Sequence, residues 1–171
     1  MRYLYLILII LIGCASNNLE VSNMKLTSSV FENNGEIPSK YTCNGENISP
    51  PLEIHDVPKS SKSLVLIMDD PDAVKPAGKV WDHWVVFNIP VTTKEIEEGS
   101  NPQGVMGKNT RGNLNYGGPC PPDTKHRYFF KLYALDSSLN LKEGSTKNEV
   151  EEAMKDHILE QATLMGTYER S

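Results

Sequence analysis

Two segments of the sequence carry most of the side chains that could do chemistry. The first contains three carboxylates, an indole and an imidazole: Asp69, Asp70, Asp72, Trp81 and His83. The second combines a Gly- and Pro-rich loop with another imidazole and a phenol: Gly117, Gly118, His126 and Tyr128. Imidazole, indole and phenol groups donate hydrogen bonds, and glycine lets backbone amides approach a bound group closely. These residue types predict a small polar pocket where the two segments meet.

Such a pocket suits a tetrahedral oxyanion such as phosphate, because most of its groups are donors. The carboxylate of Asp70 is compatible with an anion, since it can orient a protonated histidine or share a proton with a phosphate oxygen. Histidine titrates near neutral pH, so binding that depends on a charged imidazole would strengthen as the pH falls. The Asp70-Pro-Asp72 sequence is also typical of an ordinary turn, which is the alternative interpretation of these carboxylates.

The same residue types leave a second function open. Carboxylates and imidazoles are metal ligands, so a metal-dependent hydrolase or phosphatase could use Asp70, Asp72, His83 and His126. However, the sequence contains no Gly-x-Ser-x-Gly elbow, P-loop or His-Glu-x-x-His motif. It also lacks a Cys/His cluster at zinc spacing. The residues therefore favour non-enzymatic binding of an anionic small group, with no metal and no cofactor.

Strands are the main elements that must position these residues. Short apolar and β-branched runs predict five of them: Met24–Phe31, Ser63–Met68, His83–Ile89, Tyr128–Leu135 and Ala162–Arg170. Side chains two apart in a strand share a face, which pairs Trp81 with His83 and His126 with Tyr128. Both pairs stand where a strand begins, the part of a sheet at which loops build sites.

One helix is predicted, close to the C-terminus. Thr146 and Glu149 fit a capping box. An apolar stripe follows at helical spacing: Val150, Met154, His157/Ile158 and Ala162. The chain is therefore expected to be mostly β, with a late helix packed on the sheet. The weakly periodic segment 91–127 is rich in Gly and Pro, and its length predicts a loop shaped for function.

Length and composition restrict the class of protein further. The chain has 171 residues, of which 39% are hydrophobic, enough for one domain with a sizeable core. Its formal net charge of -5 argues against broad electrostatic binding of nucleic acid. Any bound anion must therefore be held by local groups, against the overall charge of the protein.

The N-terminus has the features of an export signal. Arg2 precedes an apolar run from Tyr3 to Ile12, which is shorter than the ~20 residues that span a bilayer. Leu11-Ile-Gly-Cys14 resembles a bacterial lipobox. The resemblance implies a signal peptide over 1–13, lipid attachment at Cys14, a tether over 14–24 and a domain over 25–171. The protein would then be anchored in the bacterial cell envelope, on the periplasmic or extracellular face. An ordinary signal peptide with a chance cysteine is the alternative.

Two cysteines are left if Cys14 carries lipid. In an oxidising compartment an even pair predicts one disulfide, here between Cys43 and Cys120. Such a bond would tie an N-terminal loop to the Gly- and Pro-rich loop of the second segment. Two free buried thiols are the alternative.

The ordered motifs resemble the phosphatidylethanolamine-binding protein family, and in particular its bacterial Raf-kinase-inhibitor-like branch, the YbhB/YbcL type. The resemblance covers about residues 25–170 and rests on four motifs: Asp70-Pro-Asp-Ala73, Trp81-Asp-His83, Tyr116-Gly-Gly-Pro-Cys-Pro-Pro122 and His126-Arg-Tyr128. It implies a β-sandwich with a small anion pocket at one end. The implied pocket residues are Asp70, Trp81, His83, Gly118, His126 and Tyr128. Asp72 and Arg127 are implied to support the pocket without touching the ligand.

The resemblance also implies partners. Family members bind phosphate groups, so phosphate, a phosphorylated small molecule or a lipid headgroup is expected in the pocket. The Raf-kinase-inhibitor-like name leaves a protein-interaction or kinase-inhibitor-like module open, although nothing in the sequence identifies a protein partner. The chain departs from the family pattern at Val74, where a proline usually follows Asp-Pro-Asp-Ala. This departure puts the local turn and the placement of Lys79 in doubt.

Overall fold

Strands dominate the part of the chain that the computed structural model describes, residues 23–170. Within this range there are nine strands and two helices, in this order: β1 Lys25–Thr27, β2 Gly35–Glu36, β3 Leu52–His55, β4 Ser63–Asp70, α1 Val74–Ala77, β5 Trp81–Ile89, β6 Glu95–Ile96, β7 Val105–Met106, β8 His126–Leu135, α2 Lys147–Met154 and β9 Ile158–Tyr168. Short 3-10 turns lie at Ser39–Tyr41 and Pro71–Ala73. The predicted segment 91–127 is thus interrupted by two short strands, β6 and β7.

The strands form two sheets. A three-stranded sheet has the order β1-β3-β6, and a six-stranded sheet has the order β2-β9-β8-β4-β5-β7. Neighbouring strands are antiparallel except for β2 and β9, which are parallel. The predicted mostly β sandwich with a late helix packed on it is confirmed.

The two faces of β4 are both buried, which explains its unbroken apolar sequence. One face, represented by Leu64 and Leu66, belongs to the main core between the sheets. The other face, represented by Val65 and Ile67, packs against a second cluster that includes residues of α2. Each such side chain contributes about 1.5–3 kcal/mol through burial. β4 is therefore the rigid centre from which the neighbouring strand ends are positioned.

The C-terminal helix begins as predicted and ends earlier. Thr146 N donates to Glu149 Oε2 at 2.7 Å, and Glu149 N donates to Thr146 Oγ1 at 3.2 Å, so the capping box is formed. The helix stops at Met154, and the prediction that its stripe extends to Ala162 is wrong. The reason is that Ile158 already begins β9, whose long antiparallel pairing with β8 outweighs a weak local helical pattern.

The predicted N-terminal strand is also shorter, ending at Thr27. The last strand begins at Ile158, four residues before its predicted start.

A buried ion network joins α2 to the large sheet. Asp69, which is 1% exposed, accepts hydrogen bonds at Oδ2 from Lys131 Nζ at 2.8 Å and Lys147 Nζ at 2.6 Å. Lys147 Nζ also lies 3.3 Å from Asp82 Oδ1. Burial opposes the charge on Lys147, but the hydrogen bond to Asp69 and the nearby carboxylates outweigh it and raise the pKa of the ammonium. Asp69 therefore anchors the helix.

A disulfide joins Cys43 and Cys120, with their Cα atoms 5.4 Å apart. The Cys43 amide also donates to the carbonyl of Pro119 at 3.0 Å. The two loops that the sequence analysis pairs are thus held together by a covalent bond and a hydrogen bond.

No helix within residues 23–170 is long and apolar enough to cross a membrane. The predicted signal peptide, Cys14 and most of the predicted tether lie outside the described residues.

Removing the disulfide should lower stability with little change in fold. The bond closes a loop across a sequence separation of 77 residues, and we expect the Cys43→Ser/Cys120→Ser variant to lose about 2–4 kcal/mol of unfolding free energy. Urea denaturation of both proteins measures this difference. Equal midpoints, or an intact mass showing two alkylatable thiols in the untreated protein, would contradict the expectation.

Candidate functional site

A cavity of about 190 Å³ lies at the edge of the large sheet where β4 ends and β5 and β8 begin. Much of its wall consists of Ala, Gly and Pro residues. Its ionisable and aromatic lining residues are Asp70, Trp81, Asp82, His83, Arg111 and His126. The two chemically rich segments of the sequence therefore meet in one place. They do so because the three strand ends are adjacent in an antiparallel sheet.

Asp70 occupies the last position of β4 and is a turn residue as well as a site residue. Its Oδ1 accepts from the amides of Asp72 at 2.9 Å and Ala73 at 3.1 Å, which caps the turn Pro71–Ala73. The turn interpretation and the pocket interpretation of Asp-Pro-Asp therefore describe the same side chain.

His126 is held between two carboxylates. Its Nδ1 lies 2.7 Å from Asp70 Oδ2, and its Nε2 lies 2.9 Å from Asp123 Oδ1. The imidazole is 2% exposed, and burial opposes its charge. The hydrogen bonds and charges of the two carboxylates outweigh burial and raise the pKa of His126. With an acceptor at each ring nitrogen, the imidazolium form satisfies both partners.

His83 differs from His126 in its charge state. Its Nδ1 donates to the Gly117 carbonyl at 2.5 Å, and its own carbonyl accepts from Gly117 N at 3.0 Å. Burial lowers the pKa of His83, an effect that this hydrogen bond and the nearby aspartates only partly offset. The ring is therefore neutral at neutral pH, with its proton on Nδ1.

A β-bulge sets the position of His83. Met68 pairs with Trp84 while Asp69 pairs with Asp82, so His83 is the extra residue of β5. Trp81, Asp82 and His83 all line the cavity, so the bulge and not simple strand alternation places Trp81 and His83 there.

Trp81 is flanked by the segment in which the chain departs from the family pattern. Val74 begins the short helix α1, is 48% exposed and does not line the cavity, whereas Pro76 and Ala77 of the same helix do. The Lys79 ammonium lies 5.8 Å from the centre of the Trp81 ring. The presence of Val74 in place of the family's proline therefore does not remove the contribution of α1 to the cavity wall.

Tyr128 lies beneath the cavity and is fully buried. Its ring packs edge-on against His83 at 5.3 Å and at a tilt against His126 at 6.4 Å, between ring centres. Burial, aided by the charge of Asp70, raises the pKa of the phenol well above its ordinary value. Tyr128 was predicted to contact a ligand. Its ring packs against the two imidazoles, and its buried hydroxyl has no hydrogen-bond partner among residues 23–170, so the ligand contact stays a prediction.

The glycines of the loop shape the cavity more than they offer donors to it. The Gly117 amide is bonded to His83, and the Gly118 amide donates to Asn47 Oδ1 at 2.8 Å. A Cβ at Gly118 would stand 2.5 Å from the Tyr41 carbonyl oxygen, so this position excludes any side chain. The expectation that these two amides face a ligand is therefore wrong, because both already have protein partners.

Arg111 is a site residue that the sequence analysis missed. It lines the cavity, and its guanidinium has no ion-pair partner within residues 23–170. Asn109 presents it by accepting hydrogen bonds at Oδ1 from the amides of Arg111 and Asn113, both at 3.0 Å. The sequence feature that could have indicated Arg111 is that it is a single arginine in the Gly- and Asn-rich part of segment 91–127.

Asp72 and Arg127 form a pair outside the cavity. Asp72 accepts from the Arg127 amide and Nε, both at 2.9 Å, and from Nη2 at 2.7 Å. The guanidinium lowers the pKa of Asp72 through these bonds. Because Asp72 is turned to Arg127, the four residues proposed as metal ligands do not converge. No group of three or more metal-ligating side chains exists among the described residues.

The carboxylates around the cavity are all engaged by cations or amides of the protein. Asp70 is satisfied by His126 and two amides, and Asp82 is paired with Lys147. The lining cation that stays available is Arg111. The available acceptor is Nε2 of His83, which has no hydrogen-bond partner within residues 23–170.

The structure is thus a sandwich of two sheets with a small, partly apolar cavity at the ends of the central strands. The chain belongs to the phosphatidylethanolamine-binding protein family, whose sequence profile matches residues 27–169. Membership supports a non-enzymatic ligand-binding fold.

Similar proteins occur in bacteria and archaea. A UPF0098 protein of Methanothermobacter thermautotrophicus is 53% identical over 86% of this chain and 99% of its own length. A crystal structure of the phosphatidylethanolamine-binding protein homologue CT736 from Chlamydia trachomatis is 49% identical and has a TM-score of 0.82, covering 86% of this chain and 98% of its own. The crystal structure of Escherichia coli YbcL is 30% identical, with a TM-score of 0.80, covering 88% of this chain and 100% of its own.

The Asp70→Asn substitution should lower the pKa of His126. The amide keeps the shape of the side chain but removes the charge that favours the imidazolium. NMR titration of the His126 ring measures this directly. Asp123→Asn is the matched comparison and should lower the pKa less, because Asp123 is the more exposed partner.

The ion pair of Asp70 and His126 also predicts how the free energy of unfolding depends on pH. A raised folded-state pKa gives stability that is complete below the unfolded value of about 6.5 and is lost as the pH rises through the folded value. The stability difference between wild type and Asp70→Asn should therefore shrink as the pH rises from about 6.5 through the raised folded-state pKa of His126. A difference that grows over this range would contradict the assignment.

Proposed function

We propose that the cavity binds a small anionic group, such as phosphate or the phosphate of a larger molecule, without catalysing a reaction on it. The observation that carries the proposal is the unpaired guanidinium of Arg111 in a cavity whose carboxylates are all engaged by the protein. Arginine offers several donors in a planar fork that matches phosphate geometry.

The aspartates of the cavity do not oppose this function. Asp70 shares its charge with the His126 imidazolium and the amides of its turn, and Asp82 shares its charge with Lys147. An approaching anion therefore meets carboxylates that are already bonded to cations of the protein, and the guanidinium of Arg111, which has no ion-pair partner within residues 23–170. Much of the surrounding wall is Ala, Gly and Pro, and such an apolar wall screens electrostatic attraction less than bulk water does. The name of the family, phosphatidylethanolamine-binding protein, agrees with a phosphate-bearing ligand.

The Arg111→Gln substitution should weaken phosphate binding. Hydrogen bonds to charged groups contribute roughly 1.5–3 kcal/mol, so we expect a loss of about tenfold to a hundredfold in affinity. Isothermal titration calorimetry with inorganic phosphate measures this, and Arg111→Lys should lose less because it keeps the charge.

Lys62→Gln is the control for loss of one positive charge. Lys62 is exposed and precedes the opposite end of β4, far from Asp70. It should bind phosphate as the wild type does. Equal phosphate affinities of Arg111→Gln and the wild type would remove the basis of the proposal, as would a wild type that does not bind phosphate.

We further propose that the domain is displayed in a bacterial cell envelope by lipid on Cys14. The apolar segment 3–12 followed by Leu11-Ile-Gly-Cys14 supports this, and multiple acyl chains would give stable anchoring.

The Cys14→Ser variant should leave the membrane fraction of a bacterium that expresses the full chain. The wild type should sediment with membranes and show the mass of an acylated cysteine at its processed N-terminus. Fractionation followed by intact mass measurement tests both points. A Cys14→Ser protein that sediments as the wild type does, together with a wild type that carries no acyl mass, would contradict anchoring at this residue.

A further inference from the structure

A second cavity, of about 180 Å³, shares part of its wall with the first. The residues that line both are Asn109, Arg111, Gly117, Gly118 and Cys120. The first cavity also contains aspartates and histidines, whereas Arg111 is the one charged side chain among the described residues that line the second. The second cavity is therefore a neutral, polar space that begins at the cation of the first, with room for an organic group of several atoms.

Unpaired amide side chains give the second cavity its polar character. Asn113 and Asn115 are exposed, and their side-chain amides have no hydrogen-bond partner within residues 23–170. Asn47 Oδ1 accepts from the Gly118 amide at 2.8 Å, which leaves its N–H₂ group for another partner. An amide side chain offers an acceptor oxygen beside two N–H donors, and a hydroxyl group both donates and accepts. The wall is therefore matched to a molecule that carries hydroxyl groups.

The loop that carries Asn113 and Asn115 is held in a defined shape by Asn109, which is buried. Asn109 Oδ1 accepts from the amides of Arg111 and Asn113, both at 3.0 Å. Its Nδ2 donates to the Asn115 carbonyl at 3.1 Å, and its backbone amide donates to the Asn113 carbonyl at 2.9 Å. The side chain of Asn109 is thus fully used to shape the loop, while those of Asn113 and Asn115 remain for a ligand.

The rest of the wall is also fixed. Cys43 and Cys120 line the cavity and are joined by the disulfide. Tyr116 is buried, and its hydroxyl donates to the Tyr41 carbonyl at 2.8 Å. Because this hydroxyl already has a protein partner, the asparagine amides and Arg111 are the side-chain groups left for hydrogen bonds with a bound molecule.

Arg111 joins the two cavities as one site. Its guanidinium presents several donors and has no ion-pair partner within residues 23–170. Because this side chain lines both cavities, a phosphate bonded to it lies beside both. A group esterified to that phosphate would then have the second cavity within reach.

We propose that the second cavity binds the alcohol portion of a phosphate ester, and that this alcohol carries several hydroxyl groups. The inference rests on the anion-binding function proposed above and names its ligand class: phosphate esters of polyols, as monoesters or diesters. Arg111 holds the phosphate, while the amides of Asn113, Asn115 and Asn47 exchange hydrogen bonds with the hydroxyl groups. A free polyol phosphate and a lipid headgroup that ends in a polyol share this chemistry.

Calorimetry on the full chain with glycerol 3-phosphate and propyl phosphate tests the subsite. The two esters have the same carbon chain and differ by two hydroxyl groups. At about pH 8 both have lost the proton with a pKa near 6, so their charges are equal. A net hydrogen bond contributes about twofold to tenfold in affinity, so glycerol 3-phosphate should bind about fivefold more tightly or better.

The Asn113→Ala/Asn115→Ala variant should lose most of this preference and keep the wild-type affinity for inorganic phosphate. Both side chains are exposed and bond no protein atom within residues 23–170, so the fold should be unchanged. Asn140→Ala is the matched control. Asn140 is also an exposed loop asparagine, but it follows the end of β8 opposite to His126 and should leave the preference intact.

NMR of the wild type locates the hydroxyl groups without a substitution. The side-chain amide resonances of Asn113 and Asn115 should shift on addition of glycerol 3-phosphate, and by less on addition of propyl phosphate. Absence of any such difference would place the hydroxyl groups elsewhere and overturn the subsite.

A diester probe distinguishes the two sources of the ligand. Glycerophosphoglycerol contains the diester found in a lipid headgroup, whereas glycerol 3-phosphate represents a free monoester. Tighter binding of the diester supports the subsite with a lipid headgroup as its ligand. Tighter binding of the monoester supports it with a free polyol phosphate.

The outcomes separate this inference from the function on which it rests. If inorganic phosphate binds but glycerol 3-phosphate and propyl phosphate bind equally, the polyol subsite is overturned while anion binding stands. If neither phosphate nor any of the esters binds, anion binding is overturned and the subsite with it. A preference that survives in Asn113→Ala/Asn115→Ala would also overturn the assignment of these residues.

Discussion

The carboxylate of Asp70 is the contact on which the arrangement of the cavity depends. It ends the central strand β4, caps the turn Pro71–Ala73 through Oδ1, and holds the His126 imidazole through Oδ2. One side chain therefore joins three elements: the rigid strand, the turn that leads to the α1 wall, and the first residue of β8. Because both oxygens are engaged, the carboxylate has fixed geometry and its negative charge is compensated within the protein.

Charge compensation also explains how an acidic protein can hold an anion. The net charge is -5, but the carboxylates at the cavity are paired: Asp70 with His126 and Asp82 with Lys147. The local field is then set by Arg111 and by the hydrogen-bonding character of His83. The two histidines, which look equivalent in the sequence, have opposite tasks. His126 is a charged, fully bonded support, whereas His83 is a neutral acceptor with one nitrogen left for a ligand.

Local sequence features predicted those parts of the molecule that local physics controls. The apolar run Ser63–Met68, the β-branched run His83–Ile89 and the capping box at Thr146 each correspond to an observed element. The helical stripe that was extended to Ala162 failed because spacing alone does not include the pairing energy of β9 with β8. Arg111 was missed for a related reason. A lone arginine in a loop has no local signature, and its place on the cavity wall comes from the folding of a segment anchored by Asn109.

The sequence by itself determined the mostly β composition, the family and the two segments that contain the candidate site, and it predicted a Cys43–Cys120 bond while leaving free thiols open. These follow from residue order and side-chain type, which do not require coordinates. Only the tertiary structure decided which hydrogen-bond donors and acceptors already have partners within the protein and which remain for a ligand. The amides of Gly117 and Gly118 look available in the sequence, yet both are bonded to protein atoms. Hydrogen-bond satisfaction depends on atoms that are distant in the chain and close in space, such as Asn47 beside Gly118, and no reading of local pattern contains that information.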